Sequence, residues 1–63
     1  MHFKVTKIED GEETLVASTK ARTIRQAMTK MFGDDWEVHN TMGYLIATKV
    51  STGEHIGILW VVA

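Results

Sequence analysis

The chain closes on HIGILWVVA, residues 55–63. A strand with one wet face alternates apolar and polar residues. This run does not: Ile56, Ile58, Trp60 and Val62 point one way, and Leu59 and Val61 point the other. It is also far too short for the roughly 20 residues that span a bilayer as a helix. The run is therefore a strand that wants cover on both faces, and the rest of the chain has to be read for what supplies that cover.

HFKVTKIE predicts a first strand, with Phe3 and Val5 at period two and a slip at Lys7-Ile8 that suggests a bulge or burial on both faces. Asp10-Gly11 follows, a strong hairpin signal because both residues tolerate positive φ. ETLVASTKA is the returning strand. TIRQ, Thr23–Gln26, matches the capping box, in which the Thr hydroxyl accepts from the amide three residues on and the Gln side chain reaches back. Ile24, Ala27, Met28, Met31 and Phe32 then share one helical face, and Gly33 stands where a left-handed C-terminal residue belongs. Such a helix is only about 15 Å long. WEVHN, YLIATKV and HIGILWVV predict three further strands, separated by a turn at NTMG and a Gly-containing loop at STGE.

The layout is α+β, ββ-α-βββ: one mostly antiparallel sheet with a single helix on one face. The expected helix-covered set is Phe3, Val5, Leu15, Ala17, Trp36, Val38, Ile46, Ile58 and Trp60, together with the helix's own apolar face. Strict alternation leaves Ile8, Val16, Leu45, Ala47, Leu59 and Val61 for the other side. That is more apolar surface than a solvated sheet face ordinarily carries, and it predicts either strong sheet curl, a homodimer or a heteromeric partner.

Composition narrows the function classes. Residues 1–63 make one domain, and a chain so short buries only about 60% of its unfolded surface. With no Cys there is neither a disulfide nor a thiolate metal site, and a net charge of −1 gives no global field toward nucleic acid or membrane. Met1 opens directly on HFKVTKIED, without a basic and then apolar leader, which predicts a cytoplasmic protein. His2, His39 and His55 match no ligand spacing, although His39 and His55 are candidate cross-strand neighbours on the polar face. The acids cluster at the turns Glu9–Glu13 and Asp34–Glu37, where carboxylates are normally solvated. No catalytic residue, metal or cofactor is expected.

Charge is segregated along the chain. Between Thr14 and Gly33 stand Lys20, Arg22, Arg25 and Lys30 with no acid, and all eight acids lie elsewhere. Cations at a helix start oppose the helix dipole, so Arg22 and Arg25 are not there for the helix. They suit phosphates, an acidic protein surface, or pairing with the Asp34-Asp35 turn. The EDGEE tip has two readings as well: a mimic of a phosphate backbone, or a soluble turn that discourages edge-to-edge pairing. Tyr44 is the one aromatic expected on the surface.

In KARTIRQA, a strand running into a capped helix, and MGYLIATK, a strand opened by Gly and followed by a Gly-bearing hairpin, the chain resembles small phage-encoded inhibitors, closest to a small type I-F anti-CRISPR protein. The small inhibitor of bacterial RNA polymerase of the T7 type is a looser likeness. The resemblance implies a non-enzymatic protein in the host bacterial cytoplasm that binds the RNA-guided surveillance complex and blocks target DNA. This chain has a longer Gly33–Trp36 corner and a more apolar last strand. The expected partner is therefore a host protein or ribonucleoprotein complex, with no membrane. A homodimer and direct binding of nucleic acid through the basic helix are the alternatives. The residues expected to meet the partner are Lys20, Arg22, Arg25, Gln26, Lys30, Tyr44, Leu59 and Val61.

Overall fold

The computed structural model describes residues 1–62; Ala63, the last residue of the closing run, lies outside them. Five strands and one helix follow the order β1 (His2–Glu9), β2 (Glu12–Lys20), α1 (Ile24–Phe32), β3 (Glu37–Thr41), β4 (Tyr44–Thr48) and β5 (His55–Val62). The strands form one sheet in the order β2-β1-β5-β4-β3, and every neighbouring pair is antiparallel. The first and last strands in sequence are thus neighbours near the middle.

Local chemistry sets the ends of these elements. Asp10 and Gly11, with φ of 52° and 79°, close the β1–β2 hairpin at the Glu9–Glu12 pair. Met42 and Gly43 do the same for β3–β4 with φ of 54° and 84°. At the start of α1 the Gln26 amide donates to Thr23 Oγ1 at 3.1 Å. The Gln26 side-chain oxygen accepts from the Arg22 amide at 3.2 Å, one residue before the cap itself. The helix ends on Gly33, whose amide donates to the Thr29 carbonyl at 2.9 Å.

The core holds Phe3, Val5, Ala21, Ala27, Met28, Ala47, Ile56 and Leu59, with Ile24, Met31, Phe32, Trp36, Val38 and Leu45 packed against it. This corrects the expected faces of three strands. Partners in an antiparallel pair share a face, and the register aligns Val5 with Leu59 and Leu59 with Leu45. Leu45, Ala47 and Leu59 therefore lie under the helix, while Ile46, Ile58 and Trp60 face the other way. Val61 pairs with Phe3 on the helix side but stands exposed at the rim. The space beneath a nine-residue helix is already filled by Phe3 and Met28, so small and medium side chains complete it.

Two bulges account for the rest. The β1–β2 register shifts between Val5 and Thr6, leaving Val16 unpaired. Leu15 is thereby turned onto the open face with Thr6, and Val16 borders the helix side with Phe32, the reverse of strict alternation. The slip expected at Lys7-Ile8 sits instead at this Val16 bulge, and Lys7 and Ile8 are both exposed. A second shift between Ala47 and Thr48 leaves Ile56 unpaired and buried in the core, not aligned with Ile58 and Trp60.

Candidate interaction surfaces

The first surface is the β2–α1 junction. Lys20 ends β2, Arg22 precedes the cap, Arg25 lies in the first helical turn and Lys30 in the last. Lys30 Nζ donates to the Lys20 carbonyl oxygen at 3.1 Å, which ties the far end of the helix to the end of the strand. Lys20, Arg22, Arg25, Gln26 and Lys30 are thus brought to one corner, and all are exposed. Gln26 uses its side-chain oxygen in the cap, which leaves its amide group for other contacts. Among the described residues the ion pairs are Lys7–Glu9 at 3.1 Å and, when His39 is protonated, His39–Glu37 at 2.7 Å; neither involves this corner. Asp35, considered as a mate for these arginines, is engaged elsewhere. It accepts from the Ser51 amide at 2.8 Å and the Ser51 hydroxyl at 2.6 Å. The Ser51 hydroxyl first, and its amide second, hold the Asp35 carboxyl below its ordinary value.

The second surface is the sheet face opposite the helix. Reading from β2 across to β3, one row is Leu15, Thr6, Ile58, Ile46 and His39. The next row, toward the end that carries His2, is Ser18, Lys4, Trp60, Tyr44 and Thr41. Trp60 lies down on this face: its Nε1–H donates to Thr6 Oγ1 at 2.7 Å, and Thr6 is only 2% exposed. Tyr44 meets Trp60 edge to face with centroids 6.1 Å apart. Leu15 is 59% exposed and Ile8 61%. A shallow hollow of about 230 Å³ is bounded by Ile8, Ile46, His55 and Ile58.

Of the residues expected to meet a partner, Tyr44 is on this open face, half exposed, and Val61 is at the rim of the helix side. Leu59 is a correction: at 3% exposure it is a core residue and offers no surface. Trp60, Ile58, Ile46 and Leu15 were expected under the helix and instead build the open face. Gly57, inside an otherwise apolar run, is a signal for the bulge that takes Ile56 out of line with Ile58 and Trp60, because an isolated strand glycine suggests a bulge. His39 and His55 are not cross-strand neighbours, since β4 lies between β3 and β5.

Among the described residues no group of three or more His, Cys, Asp or Glu side chains stands close enough to hold a metal ion, and no helix is long and apolar enough to cross a membrane. Comparison with protein-family models, with curated proteins and with solved structures gave no match.

Proposed function

We propose that the protein is a non-enzymatic binding module that sets its basic β2–α1 corner against an acidic surface of a host protein or ribonucleoprotein and blocks what that surface normally contacts. The observation that carries this reading is the state of Arg22 and Arg25. Both are exposed, neither has an ion-pair partner among the described residues, and both stand at a helix start with no acid in its first turn. A cation there works against the helix dipole by about 0.3–1 kcal/mol, so its benefit lies outside the fold. Arg also presents a planar fork of donors suited to carboxylate or phosphate.

Arg22→Glu combined with Arg25→Glu should leave the melting temperature unchanged or slightly raised, because anions suit that helix end. The same variant should lose capture of the partner from bacterial lysate, and capture by the wild type should weaken with salt. Capture that survives the double substitution would remove the corner from the reading. Salt-dependent binding of the wild type to bare duplex DNA or single-stranded RNA, lost in the variant, would replace the protein surface with nucleic acid.

The narrower reading, a phage-encoded inhibitor of a type I-F surveillance complex, rests on the likeness of KARTIRQA and MGYLIATK and on the order of elements. A mobility-shift assay of target DNA with the purified complex tests it. Unchanged DNA binding in the presence of excess protein would exclude it.

A further inference from the structure

We infer that the open sheet face is where a second copy of this chain docks, in an antiparallel face-to-face arrangement that leaves both helices on the outside. The inference goes beyond that reading and uses a different surface, which meets the basic corner only at Lys20.

The face lacks a layer. The chain exposes 4469 Å², whereas a folded monomer of 7.1 kDa is expected to expose about 4,100 Å². The central rows of the open face carry Leu15, Ile58, Ile46, Trp60 and Tyr44 among Thr6, Lys4, Ser18, Thr41 and His39, and the Trp60–Thr6 bond holds the indole against the sheet and satisfies the Thr6 hydroxyl. What selects a second copy is the distribution of charge along the strands. One end of the face carries Lys20 and His2 in a single row, with Lys4 in the next. The other end carries Glu13 beside Ile8, and Glu37 beside Thr48. Glu13 and Lys20 are roughly 20 Å apart along β2, too far to neutralise each other within one chain.

Two-fold symmetry leaves two simple ways to stack this face on itself, because an isologous interface pairs one patch with the same patch. With the axis parallel to the strands, β2 meets β3 of the other copy and Glu13 faces Glu37, acid on acid. With the axis across the strands, each strand meets its own counterpart reversed. Lys20 then faces Glu13 of the other copy, twice over. The aromatic row also lands on the aliphatic row: Trp60 over Ile58 and Tyr44 over Ile46, at the hollow of about 230 Å³. Only the second arrangement sets opposite charges against each other at the ends of the face; Lys4 then lies over Thr6 of the other copy, with no acid opposite it.

Light scattering on the full chain, from millimolar to sub-micromolar concentration, tests the pairing. Wild type should move from twice the 7.1 kDa chain mass to the single mass on dilution. Leu15→Glu, at an exposed position that folding does not need, should raise the dissociation midpoint at least about tenfold without lowering the melting temperature. Glu13→Lys and Lys20→Glu should each weaken the dimer roughly threefold to tenfold at low salt, and the two together should restore it. A single-chain mass at every concentration overturns the proposal. A dimer that Glu13→Lys tightens, or that the double exchange fails to restore, overturns the arrangement. Loss of partner capture in the arginine variant with dimerisation intact separates the two surfaces.

Discussion

At the residue scale the least replaceable position is Gly57. It sits against β1, and a methyl group there would overlap the Thr6 carbonyl oxygen and press on Val5 Cγ1 at 3.0 Å. Neither neighbour is free to move: Thr6 and Val5 are both in the β1–β5 ladder, and Val5 is fully buried. Gly57→Ala should therefore destabilise by about 1–3 kcal/mol, as overpacking does, in urea unfolding followed by tryptophan fluorescence. An unchanged midpoint would mean that the two strands separate at no cost. Trp60 shows the opposite situation. Its partial burial comes from lying flat on its own sheet, where it shields the Thr6 hydroxyl and accepts the edge of Tyr44 or offers its own. It contributes through that cover and not through a place in the helix-side core.

At the element scale, the capped helix and the two hairpins are held by short-range chemistry, and the corner between α1 and β3 is held by a longer one. Asp35 reaches Ser51 in the β4–β5 loop, sixteen residues away, and clamps the corner to that loop. The Ser51 hydroxyl and amide hold its carboxyl below the ordinary carboxylate value in the folded chain, so the charged form is the one that folding favours. The resulting stability is fully present above the unfolded value of about 3.9 and is lost as pH falls through the lower folded value. Asp35→Asn compared with wild type should show a constant difference in unfolding midpoint from neutral pH down to about pH 4, and the difference should close below it. A difference that persists unchanged into acid would assign the clamp's effect to something other than the carboxylate charge.

At the scale of the whole molecule, the sheet depends on a joint between the ends of the chain. β5 pairs with β1 on one side and β4 on the other, and among the described residues it is the strand that joins the β1–β2 hairpin to the β3–β4 hairpin. Isolated hairpins are marginal in water. A chain ending at Glu54 should accordingly show no cooperative thermal transition by circular dichroism, where the full chain should show one. A cooperative transition in the shortened chain would mean that the hairpins pair without β5.

What could be read in the residues follows their range of interaction. Asp10-Gly11, the Thr23–Gln26 cap, the face shared by Ala27 and Met28, and the Gly33 stop are fixed by contacts within about four positions, and the corresponding elements stand where the pattern puts them. The clustering of Lys20, Arg22 and Arg25 was legible for the same reason, since a cap and a strand end separate them. Alternation in HIGILWVV establishes that it has two apolar faces, but not which of them meets the helix. That choice belongs to the pairing of Val5 with Leu59 across more than fifty residues, and to the bulges at Val16 and Ile56 that reverse the faces beside them. Local sequence thus determined the elements, their ends and the surplus of apolar surface. Only the tertiary structure decided that Leu59 is core and Trp60 is surface, because a side chain's face depends on the strand it is hydrogen-bonded to, and that partner lies at the other end of the chain.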